Sequence, residues 1–598
     1  MIGLKPFVAG LVVSTVILAL LGLSGKFPEW KTGIFVVLVA AIGWSAHLYL
    51  PIRSAQDPVY NQSNPAENMQ AFFDFIERKQ YGQKSMTERM FGRRAEWTHQ
   101  FGTFQRMGFW GFFREQFGIT GVRFVVVFLI GLFAVWEIIR RNVFDGVPFF
   151  VLLLICSVGL ILYMNFADGT RIDPLTGDDY LEVRDRDYFW TPFFVFFGLA
   201  IGMGLSLIIK MITEAVQSFS AAPRKAIAVF SLVLLATPSF AYSKNHFFVD
   251  RSQNYIAYDY GWNLLQSCQP NAICFTQGDN DTYPVWCLQQ VYHVREDVKI
   301  VNLSLANTHW YIRQLKTTLG LDLGWSDDMI NQMGAVRNAD GSVSRLQVRV
   351  VDQILATQST NYPINFSVTC GADTRKFRGQ SLDSRISLMA LQWRLAEPGA
   401  NNRIDLEEAY GFFMDQNRFV VRSANDEKVY KDDNSIRLVR NFANAMFVVA
   451  DTLRRVGDMD RAIAITERAV ELVPFASDAP GYLGTLYAQG KQLDKLDGLI
   501  AKAEGNQRLA LRLMRCRVVM GNGDTTAAIG ELKDILVADP KNAQTFEELM
   551  RIYYGRHELE PIRTSLEAWL MNNPSDKRSA QLLKMITDGI DIWDTTAR

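Results

Sequence analysis

The chain has 598 residues, room for three or four domains of ordinary size. Its 62 basic side chains balance 62 acidic ones, so a nucleic-acid partner has no electrostatic basis. The apolar residues gather before Lys244 in six nearly uncharged stretches, which excludes a purely soluble protein.

Each stretch holds at least about 17 residues, enough to cross a hydrocarbon layer roughly 30 Å thick. In chain order they are Phe7–Leu23, Gly33–Leu50, Val122–Ile139, Val147–Phe166, Tyr188–Ile209 and Ala226–Tyr242. Lys5 and the first run also fit a secretory signal. No A-x-A-like cleavage site follows, however, and a second span comes after a short loop, so a retained helix is expected. Residues 1–249 are read as a transmembrane domain with two extracytoplasmic loops, 51–121 and 167–187. The short loops of one side hold Lys26, Lys31, Arg140, Arg141, Lys210, Arg224 and Lys225. The loop from Ala167 to Asp187 carries three arginines against seven acids. The positive-inside rule makes the first set cytoplasmic. The two loops and everything after the sixth span are then exported, into the periplasm if the host is a double-membrane bacterium.

Where the second span ends, Tyr49, Arg53, Asn61, Asn64 and Lys79 concentrate polar groups. Arg53 either pairs with a lipid phosphate, which guanidinium binds bidentately, or snorkels as a topological anchor. His47 and Glu137 sit near span ends, close enough to an interface to escape the cost of burial. The second loop, "NFADGTRIDPLTGDDYLEVRDRDYFW", includes Asp168, Asp185, Asp187 and Tyr188 alongside Arg184 and Arg186. Its carboxylates could hold a divalent cation or act as base toward an acceptor hydroxyl. A lattice of mutually satisfied ion pairs is the competing reading.

Residues 250–434 read as an α/β domain. "NAICFTQ" and "VKIVNLSLAN" have the form of strands, with the helical "YPVWCLQQVYHV" between them, so a parallel βαβ unit is expected. "RLQVRVV" and "INFSV" are further candidate strands. "GDNDTYP" then falls at the carboxyl end of a strand, the edge where open α/β sheets bind ligands. Asp279, Asn280, Asp281 and Thr282 are candidate ligand contacts there. The alternative is a cap, with Asp281 or Thr282 closing the helix end and Gly278 permitting the turn.

Residues 435–598 read as helical repeats. Gly457, Gly490 and Gly523 recur every 33 residues, Gly555 lies near the next place, and Pro474, Pro540 and Pro574 follow the same register. With Ala462 and Ala469 placed for close packing, the pattern resembles the tetratricopeptide repeat. Four units are visible, the second and fourth degenerate, and they imply a solenoid with a concave face for a protein ligand. The six cysteines include no C-x-x-C pair and no zinc spacing. A Cys268–Cys274 bridge is possible, but spacing does not fix connectivity.

Three stretches in this order, "YLPIRSAQDP…ERKQYG", "NFADG…EVRDRDYFW" and "RSQNYIAYDYGWNLLQSCQPNAICFTQGDNDTYPVWCLQQVYHVREDVKIVNLSLANTHWYI", resemble a bacterial protein O-mannosyltransferase-like membrane family of the GT-C superfamily. The resemblance implies transfer of a sugar from a polyprenyl-phosphate donor to exported protein, with Arg53, Arg184 or Arg186 stabilising phosphate. In that family an acidic residue on the first exported loop of an N-terminal half serves as base. No Asp-Cys-Gly-Glu-Phe-like stretch occurs here, so either an N-terminal GT-C-like partner chain supplies the base, or the sequence is a fragment of a longer chain, or catalysis has been lost. The other expectation is a non-catalytic membrane scaffold that uses its repeats to assemble a protein machine. A hydrolase built on Asp279 and Asp281 is a third, for which no nucleophile–base pair is evident.

Overall fold

The computed structural model describes residues 4–25, 30–76, 90–92, 94–102, 108–117, 121–166, 187–215, 228–229, 231, 237–337, 343–396, 404–473 and 479–593. The chain divides into two compact units, Met1–Ser252 and Gln253–Arg598.

In the first unit four helices are long and apolar enough to cross a membrane: Trp30–Ser54, Val122–Arg141, Val143–Met164 and Tyr188–Ala215. They coincide with four of the six apolar stretches. The first stretch also forms a helix, Leu4–Leu23, while most of the sixth lies outside the described residues. Val122–Arg141 packs along Asp187–Ala215. Close approach depends on glycine, because a Cβ on Gly204 would overlap the Ile130 carbonyl and one on Gly131 the Phe197 ring. A helix outside the spans, Phe109–Phe117, adds an aromatic cluster, its Phe109 ring centred 5.3 Å from Trp190 and its Phe113 ring 5.6 Å from Phe197.

The second unit opens with helix Ile256–Gln266, followed by β1 (Ile273–Thr276), helix Asp279–Tyr292 and β2 (Lys299–Asn302). Three further strands, β3 (Ile364–Ser367), β4 (Ile386–Met389) and β5 (Gln392–Leu395), complete a mixed sheet of order β2-β1-β3-β5-β4. β1 runs parallel to both β2 and β3, with Ile273 opposite Lys299 and Ile364, whereas β5 is antiparallel to β3 and β4. The expected βαβ unit is therefore present. β1 is buried along its whole length, as a strand sheltered on both faces should be.

One expectation fails. "RLQVRVV" is not a strand but the start of helix Leu346–Gln358, whose buried apolar positions are Leu346, Val350, Val351, Ile354 and Leu355. That spacing is helical. The short alternation of Leu346, Val348 and Val350 mimicked period two only because the window ended too soon.

From Asp433 onward the chain forms helix pairs: Asp433–Arg455 with Met459–Leu472, Ala479–Gln489 with Leu493–Lys502, Gly505–Gly521 with Thr525–Ala538, and Ala543–Gly555 with Leu559–Asn572, then Lys577–Thr587. The left-handed turn residue within each pair is Gly457, Lys491, Gly523 or His557. Lys491, not Gly490, therefore supplies the turn in the second pair. Ala462 and Ala469 are fully buried where the first pair meets. Pro474 lies outside the described residues. One hydrophobic core runs from Ile256 and Val285 through Phe412 and Phe442 to Leu511, so sheet and helix pairs share an interior.

The six cysteines are free thiols, and Cys287 alone among them is exposed. Burial holds the Cys274 and Cys370 thiols well above their usual range, which keeps them protonated and unreactive.

Candidate functional site

The carboxyl edge of β1 is where its neighbours diverge, β2 to one side and β3 to the other. "GDNDTYP" leaves the sheet there. Gly278 is the helix N-cap with φ −156° and ψ −158°, and a Cβ added there would meet open space. The turn thus uses extended backbone and does not need a left-handed glycine.

Asp281, at the third helical position, reaches back over this turn. Its Oδ2 accepts the Gln277 N–H at 2.8 Å, its Oδ1 accepts the Gly278 N–H at 2.9 Å, and Thr369 Oγ1 donates to Oδ2 as well. The carboxylate is buried, and with three donors it satisfies N–H groups that a helix start leaves open. Thr282 is buried beside it. Its Oγ1 lies 2.7 Å from Thr276 Oγ1 and accepts from Asn302 Nδ2 at 2.9 Å. Asn302, closing β2, also donates to the Gly278 carbonyl and accepts the Leu305 N–H, while Ser304 Oγ donates to the Gln277 carbonyl at 2.6 Å. Asp279 and Asn280 are exposed on the first turn, where Asp279 complements the positive end of the helix dipole.

Of the four predicted contacts, then, Asp281 and Thr282 hold strand, turn and helix together, and Asp279 and Asn280 face solvent. Sequence reading missed Asn302, Ser304 and Thr369. Asn302 and Ser304 stand at the end of β2 and Thr369 just past β3, and only the sheet brings them to one edge.

In the membrane unit Arg53 is exposed and donates to Gln56 Oε1. Ser54, Asn61 and Asn64 form a knot behind it, Ser54 Oγ donating to Asn61 Oδ1 at 2.7 Å. His47 Nδ1 donates to the Trp44 carbonyl at 2.9 Å, and Glu137 accepts from Arg140 at 2.6 Å and Arg141 at 2.7 Å. Asp168, Arg184, Asp185 and Arg186 lie outside the described residues, and of Asp187 only the backbone, opening its helix, is described. Tyr188 follows on that helix, exposed.

The start of the second loop does more than its composition shows. Asn165, left-handed at φ 40°, caps the helix that ends at Met164. Its Nδ2 donates to the Gly92 carbonyl at 2.7 Å, and its Oδ1 accepts Arg94 N and Gln100 Nε2, each at 3.1 Å. Gln100 also donates to the Phe166 carbonyl at 2.8 Å. This buried exchange ties the first loop to the second, at the same end of the bundle.

The helix pairs bear two hollows, of about 490 and 420 Å³, that share helix Ala479–Gln489 as a wall. The larger is lined by Phe447, Asp451, Arg455 and Tyr482, the other by Thr485, Met514, Arg517 and Val518, all on first helices of their pairs. Among the described residues no three His, Cys, Asp or Glu side chains converge as cation ligands.

A protein-family model described as TMEM260-associated domain 2 matches residues 257–322. The match spans helix Ile256–Gln266, β1, the capped turn, helix Asp279–Tyr292, β2 and helix His309–Thr317, so the segment is similar to that domain from its first helix to its third. No curated protein matches the chain.

Proposed function

We propose that this chain is a multi-span membrane protein related to TMEM260, with six crossing helices in the inner membrane and the unit from Gln253 onward in the periplasm. It acts as the C-terminal half or a subunit of a GT-C-like glycosyltransferase. The donor is a polyprenyl-phosphate sugar, the acceptor an exported protein, and the base comes from an N-terminal GT-C-like partner chain. Arg53, Arg184 and Arg186 neutralise donor phosphate, any divalent cation binds the Asp168–Asp187 loop, and the tetratricopeptide-like helix pairs present the acceptor in their hollows. The observation that carries this reading is the match over residues 257–322 in a chain with four helices able to cross a membrane.

The test is glycoproteomics of exported proteins in cells lacking the chain. Loss of protein-linked hexose, restored by the wild-type chain, is expected. Arg184→Ala or Arg186→Ala should lower transfer about tenfold or more, the worth of one charge-assisted hydrogen bond. An unchanged glycoproteome overturns the reading. A non-catalytic scaffold is the second reading, favoured by the saturation of Asp281 and by the hollows. Under it Val518→Trp, which fills one hollow, releases a protein partner while glycosylation stays intact.

A further inference from the structure

Two adjacent helices at the start of the second unit are short of the charge that a water-facing helix usually carries. Between Asn280 and Tyr292 the only charged residue is Asp281, buried in the capped turn. In helix Ile256–Gln266 it is Asp259, also buried. Past the first turn of helix Asp279–Tyr292 the exposed positions are Tyr283, Cys287, Gln290, Val291 and Tyr292, none of them charged. Tyr283, Cys287 and Val291 recur at helical spacing, with Tyr283 48%, Val291 63% and the neighbouring Tyr292 56% exposed. The Tyr292 ring meets Tyr258 edge-on at 5.5 Å, which joins the two helices into one surface. Arg422, at its border, lies 4.2 Å over Tyr255 and 4.7 Å over Tyr258, with its charge matched by Asp259 at 2.6 Å. Past the first turn, where Asp279 is exposed, the face is thus without net charge, rich in tyrosine and continuous.

We infer that this face rests in the headgroup region of a lipid bilayer. Tyrosine suits that layer because its ring is apolar and its hydroxyl stays wet. Chain connectivity allows the face to reach lipid. The last apolar stretch ends at Tyr242, and helix Thr237–Val249 continues with Phe247, Phe248 and Val249 exposed. From Val249 to Tyr255 is six residues, a reach of at most about 20 Å. The inference needs the sixth apolar stretch to lie in the bilayer and does not depend on the transferase reading.

Cys287 lies in the middle of the face, and the other five thiols are buried, so the native chain accepts one nitroxide label there. In full-length protein reconstituted into phosphatidylcholine–phosphatidylglycerol nanodiscs, the label should show an oxygen-to-nickel-chelate accessibility ratio several-fold above a control. The control is Val537→Cys in a Cys287→Ser background, on a strongly exposed position of the helix pairs. Tyr283→Glu with Val291→Glu should return the Cys287 ratio to the control value while the thermal transition is retained. A wild-type ratio equal to the control means water covers the face, and low access to both reagents means protein covers it. Either result overturns the inference.

Discussion

Asp281 shows how a residue that looks like a ligand contact becomes structural. In sequence it sits among polar neighbours at a presumed sheet edge. In the fold its two oxygens accept two backbone N–H groups and the Thr369 hydroxyl. Asp281→Ala would leave both N–H groups without that acceptor, so stability should fall by about 2 kcal/mol. Asp279→Ala, on an exposed first-turn position, should cost no more than about 0.5 kcal/mol. Urea unfolding of the full chain, followed by tryptophan fluorescence, checks both; equal effects would remove the cap. Asp259 offers a second case. Burial pushes its carboxyl above the usual range despite the Arg422 guanidinium, so this group stabilises the fold most at low pH and less as pH rises through the shifted value. No local pattern distinguishes it, because the residue that pairs with it is 163 positions away.

At the scale of elements, periodicity was readable wherever the window was long enough. Four apolar runs became helices of spanning length, and the strand–helix–strand order of the matched segment became a parallel βαβ unit. It failed for Leu346–Gln358, where seven residues were too few to separate period two from period 3.6. Contacts between elements were less legible. Gly204 reads as one more small residue in an apolar run, yet it is where Asp187–Ala215 touches the Ile130 backbone. Gly204→Val should force these two helices apart. The expected outcome is a clearly lower melting temperature in detergent, against little change for Gly198→Ala, where a Cβ meets open space. The Gln100–Asn165 exchange likewise joins residues 65 apart that no pattern pairs.

Over the whole molecule, the chain divides into two compact units between Ser252 and Gln253. Within the second, the composition shift near residue 434 marks the start of helix Asp433–Arg455 but no gap in the interior. Phe412, Phe419 and Phe442 pack together, with Phe419 and Phe442 ring centres 5.2 Å apart, across that point. Sheet and leading helix pairs should therefore unfold together. Fluorescence of Trp286 and Trp393, which border the sheet core, and far-ultraviolet helix signal should give coincident urea midpoints for this unit. An early helical transition would mean that the shared core does not couple them.

The amino-acid sequence by itself determined what depends on neighbours along the chain: apolar runs long enough to cross a bilayer, a strand–helix–strand order, and a repeat near 33 residues. These follow from backbone geometry and side-chain period, which act over a few turns. Only the tertiary structure decided which polar residues are spent inside the protein and which face outward. Asp281 meets Thr369 and Thr282 meets Asn302 because three strands end at one sheet edge, and Asn165 meets Gln100 because two loops close over one helix end. A carboxylate has the same chemistry in either setting; its donors are set by distance in space, and that distance is absent from the order of residues.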